Sequence, residues 1–194
     1  MLDLAGAYFG VLFRIAVRLF VRYGIALESH QQNAALIVGP AGGVRLMVKD
    51  FDGALINHGR LTSALGGQAP PAAAFADQRL LTGCDDELAD VFITITVHLC
   101  AGAVAFGLAR AGRAPLPDLL GLVRRSLAAA LDEYPGDPAA ALLRARVLDA
   151  PRLPGKAMLT AGTLVDKART GARDINKYIG TSGPNYLRGA GAGR

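Results

Sequence analysis

The first part of the chain has the hydrophobic spacing of an amphipathic helix. Apolar side chains recur three or four residues apart at Tyr8, Leu12, Ile15 and Leu19. This spacing predicts a helix over residues 3–22. Arg14, Arg18 and Arg22 form a polar stripe along it, which is either a solvated face or a contact surface for an anionic partner. Gly24 is expected to end the helix, because glycine readily adopts a left-handed conformation.

A β-hairpin is predicted over residues 24–50. Two short apolar runs, residues 34–38 and 44–48, flank the turn sequence GPAGG, and such runs around a Gly/Pro turn are typical of a hairpin. With the turn centred at Ala41, the numbers of facing residues add up to about 82. The facing polar pairs are then Asn33 with Lys49, Gln32 with Asp50, and His30 with Asp52.

Polar side chains gather at the open end of this hairpin. If the segment is extended, Glu28, His30 and Gln32 share one face, because side chains alternate along a strand. The carboxylates of Glu28 and Asp50 suit a hard cation such as Mg²⁺, and Lys49 and His30 suit carboxylate or phosphate oxygens. Two interpretations are open: a polyanion and metal site, or a solvated hairpin base with an ordinary lysine–aspartate pair.

The rest of the chain predicts helices separated by loops. The helices are expected near residues 87–111, 117–131 and 137–148, whereas residues 54–83 have little pattern and contain the loop sequence GGQAPP. The predicted class is therefore α+β, a mostly helical domain with one β-hairpin or small antiparallel sheet. We expect one domain over residues 1–188 and a disordered tail at residues 189–194.

Composition and charge limit which kinds of ligand this chain is expected to bind. The net charge is +5, but the basic residues are scattered and only 6% of residues are aromatic. This pattern argues against nucleic acid as the ligand and fits a small anionic substrate.

Residues 91–109 carry no formal charge and are long enough to span a bilayer, but His98 and several small residues favour a buried core helix. Cys84 and Cys100 lack metal-ligand spacing and, without a secretion signal, predict reduced thiols in the cytoplasm.

Two motifs resemble the C-terminal part of the aerobactin-synthetase (IucA/IucC) family, siderophore synthetases that work without a nonribosomal peptide synthetase. They are YGIALESHQQN at residues 23–33 and KDFDG at residues 49–53, in the family's order and spacing. Ser29 replaces an alanine of the family pattern, and Lys49 replaces an arginine. Lysine keeps the charge but lacks the planar fork that binds an oxyanion at two points. The stretch LPGKAML at residues 153–159 is similar to a Pro-x-Lys-Ala-x-Leu segment of the same family.

The resemblance implies an enzyme that adenylates a citrate-like carboxylate with ATP and Mg²⁺ and condenses it with an amine or hydroxyl. It assigns substrate binding to Glu28, His30, Gln32, Asn33 and Lys49. It assigns magnesium to Asp50, Glu28 and Asp52, with Asn33 and Asp52 in supporting positions. His98 and Lys156 are assigned to nucleotide or phosphate; the alternatives are a hydrogen-bonded core histidine and a structural salt bridge. No catalytic side chain is assigned.

The resemblance also implies that the chain corresponds to about the C-terminal third of a synthetase, so that most ATP-contacting residues lie elsewhere. Three interpretations follow: a split subunit that needs an N-terminal partner, a non-catalytic carboxylate-binding module, or a fragment of a longer product. An exposed apolar face is expected where the missing part docks, and it also permits a homodimer. Reduction of ferric siderophores is not expected, because that FhuF-like class needs a terminal cysteine cluster.

Overall fold

The computed structural model describes residues 1–39, 43–50, 53–157 and 179–189, without the side chains of residues 179 and 180. The helices are α1 (Leu2–Arg18, continued by a π-helical turn Leu19–Tyr23), α2 (His58–Ala64), α3 (Asp85–Val91, continued by a π-helical segment Phe92–Gly102), α4 (Ala103–Arg110), α5 (Leu116–Asp132) and α6 (Pro138–Leu143, continued by a π-helical segment Arg144–Asp149). The strands are β1 (Ile25–Ala26), β2 (Ala34–Val38), β3 (Val44–Val48), β4 (Leu55–Asn57), β5 (Leu81–Thr82), β6 (Arg152–Lys156) and β7 (Ile179–Pro184). The α+β class and the positions of the main helices are confirmed.

The hydrophobic core lies between α1, α3 and α5. Helix α1 packs along α5, and its phenylalanine side chains Phe9, Phe13 and Phe20 are completely buried. Phe20 meets Phe92 of the α3 extension edge to face, with ring centroids 5.7 Å apart. Burying one such side chain contributes about 1.5–3 kcal/mol, so this core supplies most of the driving force for folding.

Among the residues that the structure describes, two helices are long and apolar enough to cross a membrane, Leu2–Tyr23 and Asp85–Arg110. The core helix of a globular domain passes the same test, and 61% of the most apolar window of Asp85–Arg110 is buried within the fold. Ile93 and Val97 there have no exposed surface. The expectation of a buried core helix over residues 91–109 agrees with this packing.

Arg60 forms hydrogen bonds to the carboxyl end of the first helix. Its guanidinium donates to the carbonyl oxygens of Phe20 (2.6 Å) and Val21 (2.8 Å) and to the carboxylate of Asp85 (3.0 Å). The last carbonyls of a helix have no partner within the helix, so a cation there satisfies hydrogen bonds and the helix dipole together. The predicted helix end at Gly24 is confirmed: its φ is +65°, and a Cβ there would lie 2.8 Å from the Cβ of Arg60.

In the described part of the chain three small sheets accompany the helices. In the β2–β3 hairpin Ala34 faces Val48 and Val38 faces Val44, so the predicted sum of 82 is confirmed. The predicted extension of this hairpin back to residue 24 is wrong. Strand β1 pairs instead with β4, and β4 pairs in parallel with β5. The predicted turn centre, Ala41, and most of the predicted tail lie outside the described residues.

The antiparallel β6–β7 ribbon is tied to the α3 extension through His98. Nε2 of His98 lies 2.9 Å from the carbonyl oxygen of Pro154, and Nδ1 lies 2.8 Å from the hydroxyl of Tyr186. A carbonyl can only accept, so Nε2 carries the hydrogen and Nδ1 of the neutral ring accepts from Tyr186. Burial lowers the pKa of His98, against the opposite effect of the Pro154 hydrogen bond.

The end of the ribbon is held by a buried amide. Asn185 is 7% exposed, and its Nδ2 donates to the carbonyl oxygens of Val147 and Ala150, each at 2.8 Å. Its Oδ1 accepts from the backbone N–H of Leu187 at 2.9 Å. Because these carbonyls lie at the end of the last helical segment, Asn185 ties the end of the ribbon to the helical core.

Replacing Arg60 is expected to destabilise the fold strongly. Arg60→Ala leaves two helix-end carbonyls without their side-chain donor and removes the cation beside Asp85, which should lower the free energy of unfolding by about 2–4 kcal/mol. Arg144→Ala is the matched control, because Arg144 pairs with Asp132 at an exposed position, and it should lower stability by less than about 1 kcal/mol. Urea denaturation measures both, and equal losses would contradict the role given to Arg60.

Stability is expected to fall in mild acid because of His98. Its pKa in the folded state lies below the usual value, so the unfolded chain takes up the proton first. The contribution of neutral His98 to the stability of the fold is complete above about pH 6.5, the usual pKa of histidine. It declines as the pH falls through the folded-state pKa. His98→Gln, which does not titrate, should flatten this part of a pH–stability curve measured by urea denaturation. His58→Gln, at a partly buried histidine, is the comparison variant; equal flattening in both variants would exclude His98 as the specific cause.

Candidate functional site

Asn33 joins the two sequence motifs. Its side chain is buried, and its Nδ2 lies 3.2 Å from the carbonyl oxygen of Glu28 and 3.4 Å from that of Asp50. An amide nitrogen carries two hydrogens, so it can donate to both. The carbonyl oxygen of Asn33 accepts from the backbone N–H of Lys49 at 2.8 Å, which extends the hairpin by the predicted Asn33–Lys49 pair. One residue of the first motif thus holds the backbone of the second.

Glu28 and His30 come together for a different reason from the one predicted. Residues 27–30 have no regular structure, and residues 31–33 form a turn in which Asn33 N–H donates to the His30 carbonyl oxygen at 2.8 Å. The alternation of side chains along a strand therefore does not apply here, and Gln32 lies exposed in the turn. Even so, Glu28 Oε1 is 3.9 Å from His30 Nε2, and both side chains are about one-quarter exposed. They form an ion pair whenever the imidazole is protonated.

Gly53 makes room for the Glu28 carboxylate. A Cβ placed on Gly53 would overlap the carboxylate oxygens of Glu28. Glycine at this position of KDFDG therefore lets an acidic side chain of the first motif lie against the backbone of the second. No local sequence pattern indicates this role, because Glu28 and Gly53 approach each other only in the folded chain.

Asp50 has an unusual backbone conformation. Its φ is +61°, in the left-handed region, and its side chain is exposed. Aspartate tolerates this region better than most residues, yet a conformation of this kind costs about 1–3 kcal/mol and is found most often at functional sites. The conformation turns the chain at the end of the hairpin, next to the Asn33 amide.

The donor set for a metal is partly in place. Glu28 and Asp50 supply carboxylates of the kind Mg²⁺ prefers, and Asn33 holds their backbones together. Within the described ranges no group of three or more His, Cys, Asp or Glu side chains could hold a metal ion. Asp52 lies outside those ranges. The assignment of magnesium to Asp50, Glu28 and Asp52 stays a prediction.

His98 and Lys156 both lie at the β6–β7 ribbon. Pro154, which accepts from His98, and Lys156 are two residues apart on β6. Both ring nitrogens of His98 are engaged inside the fold, so a phosphate could bind the imidazole only by displacing Tyr186 or the Pro154 carbonyl. The assignment of His98 and Lys156 to nucleotide or phosphate stays a prediction.

A buried contact links the first motif to the helix that carries His98. The thiol of Cys100 donates to the carbonyl oxygen of Ser29, and the Ser29 hydroxyl oxygen lies 3.8 Å from the Cys100 sulfur. Burial raises the pKa of Cys100 to about 11, although the Ser29 hydrogen bond opposes the shift, so the thiol stays protonated at neutral pH. Ser29, a departure from the family pattern, thus has a structural partner 71 residues away, which no local sequence pattern indicates.

Comparison with known proteins places this geometry in context. The family described as ferric iron reductase FhuF-like transporter matches residues 3–172. No curated protein matches the sequence. Three solved structures share the fold and are biosynthetic proteins of siderophores: the petrobactin biosynthesis protein AsbB from Bacillus anthracis str. Sterne, and the aerobactin synthetases IucA and IucC from a hypervirulent pathotype of Klebsiella pneumoniae.

The likeness to these structures is one of fold. AsbB superposes with a TM-score of 0.71 at 19% identity, over 94% of this chain and 31% of its own length. ATP-bound IucA superposes with a TM-score of 0.61 at 17% identity, over 95% of this chain and 30% of its own length. IucC superposes with a TM-score of 0.51 at 24% identity, over 77% of this chain and 27% of its own length. The chain thus spans less than a third of each synthetase, and the resemblance noted in the sequence is confirmed in family and fold. The match over residues 3–172 shows that this chain belongs to the FhuF-like family.

Proposed function

We propose that this chain is the carboxylate-binding part of a siderophore synthetase and completes an adenylating site together with a separate N-terminal part. The observation that carries the proposal is the Asn33 amide, which brings the backbones of Glu28 and Asp50 together. The two sequence motifs therefore form one unit in space. The fold shared with AsbB and IucA supports the same conclusion.

The chemistry requires neutralisation of charge. In adenylation a carboxylate oxygen of the substrate attacks the α-phosphate of ATP, the bond to the β-phosphate oxygen breaks, and pyrophosphate leaves with acyl-adenylate as the product. Both reactants are anions, so cationic groups must offset their repulsion. We assign the substrate carboxylates to Lys49 and to His30 in its protonated form, with Gln32 as a further donor from the adjoining turn. Mg²⁺, when held by Asp50 and Glu28 with Asp52, would neutralise phosphate charge.

The partner part would dock on exposed apolar surface. Ile37 and Met47 are 38% and 48% exposed, and the ladder places both on the outer face of the β2–β3 hairpin. Within the described ranges this hairpin is paired to no other strand. We propose that the N-terminal part packs on this face and brings ATP to the motif cluster. A cytoplasmic location belongs to the same proposal, because adenylation consumes ATP, and the free thiols of Cys84 and Cys100 support it.

Ferric iron reduction, named in the family's description, is not the function proposed here. An iron–sulfur cluster is held by four ligands, most often cysteine thiolates. This sequence contains two cysteines. Cys84 is exposed and Cys100 is buried against Ser29.

The isolated chain is expected to bind citrate in the presence of Mg²⁺ but not to exchange pyrophosphate into ATP. Exchange should appear only when the N-terminal part of a synthetase is added. His30→Ala should weaken citrate binding by at least about tenfold, because it removes a charged donor, whereas His58→Ala should not. Calorimetry and radiolabelled exchange measure these quantities. Binding without exchange in the mixture would leave a non-catalytic carboxylate-binding module, and no citrate binding by the folded chain would refute the site.

Variants of Asp50 should change the binding of Mg²⁺ without lowering the stability of the fold. Asp50→Gly removes the strain of a positive φ, so the free energy of unfolding should stay the same or rise by up to about 1 kcal/mol. The same change removes a carboxylate and should abolish the Mg²⁺ dependence of citrate binding. Asp50→Asn, which tolerates the same backbone and removes only the charge, should abolish it too. A Mg²⁺ dependence that survives in both variants would show that Asp50 is not a metal ligand.

A further inference from the structure

A cleft opens at the end of α1 and reaches Tyr23, the first residue of the first motif, but none of the residues of the motif cluster. Its volume is about 500 Å³, within the range of small-molecule pockets. The lining residues are Arg18, Arg22, Tyr23, Ala64, Glu133 and Tyr134. None of them belongs to the site assigned above.

The cleft carries an excess of positive charge. Arg18 and Arg22 are four residues apart and therefore share one face of the helix. The Glu133 carboxylate is engaged from the side by Arg14, whose Nε lies 3.8 Å from Oε1. The cleft is thus lined by two guanidinium groups and one carboxylate, and within the described part of the chain no carboxylate pairs with Arg18 or Arg22.

The geometry of Arg22 favours anion binding. Its guanidinium carbon lies 5.6 Å from the centre of the Tyr134 ring. A cation–π contact of this kind restrains the side chain and covers one face of the guanidinium. Among the described residues no hydrogen-bond acceptor engages the N–H groups along its edge, so they can form paired hydrogen bonds to a carboxylate or phosphate. Tyr23 and Tyr134 add two phenol groups to the same wall.

We propose that this cleft is a second anion site, which binds a small molecule with two or more negative charges on carboxylate or phosphate oxygens. It contains arginine donors and a single carboxylate that Arg14 already engages. Binding there is therefore independent of Mg²⁺, unlike binding at the motif cluster. The arginine stripe of α1 then has two parts. Arg18 and Arg22 bind the ligand, and Arg14 forms an ion pair with Glu133.

Titration of pyrophosphate and citrate into the ¹⁵N-labelled chain, with EDTA present, tests the proposal. Either anion should shift the amide resonances around the cleft saturably, whereas chloride at equal ionic strength should not. The anion that binds more tightly assigns the cleft to phosphate or to carboxylate ligands. The double variant Arg18→Gln/Arg22→Gln should weaken binding by about tenfold or more.

The matched control is Arg110→Gln/Arg113→Gln, which removes the same charge from exposed positions at the end of α4. It should change the affinity by less than about twofold. Equal weakening in both double variants would show only general charge attraction and would overturn the proposal, as would the absence of saturable shifts in the folded wild-type chain. His30→Ala should leave these shifts intact, so this site and the motif cluster fail or succeed separately. Thermal melting confirms that each variant is folded.

Discussion

The closure of the first helix determines where the functional residues lie. The helix ends in carbonyl groups that need donors, and Arg60 supplies them while it also holds Asp85 at the start of α3. Asn57 strengthens this junction by donating to the same carboxylate at 2.8 Å. The left-handed turn at Gly24 fits only because no side chain stands between it and Arg60. The chain therefore leaves α1 in one direction and enters the first motif beside α3.

Backbone contacts then assemble the motif cluster. Ser29 is held against Cys100 on the α3 extension, and Asn33 holds the end of the hairpin at Asp50. Both anchors lie within the first motif, on either side of His30. The polar side chains are thus presented by a short irregular segment fixed at two points, which gives a loop the positional precision of a regular element. The left-handed conformation of Asp50 is held in place by the same contacts.

Local patterns in the sequence predicted the elements and part of the site. Helical spacing located α1 and α5, and the turn GPAGG fixed the register of β2 and β3, because periodicity and turn chemistry act over a few residues. The pairing of β1 with β4 was missed, since it joins Ile25 to Ile56, which are distant in sequence and share no local pattern. For the same reason Ser29 and Cys100 gave no signal. The meeting of Glu28 and His30 was predicted, but from a strand that does not exist.

The contact between Glu28 and Gly53 has a consequence for the design of variants. Any side chain at Gly53 would displace the Glu28 carboxylate from its position. A substitution at this glycine therefore acts on an acidic side chain of the other motif, although the two residues are far apart in the sequence. Glycine has to be kept at this position in any variant made to measure what Glu28 does.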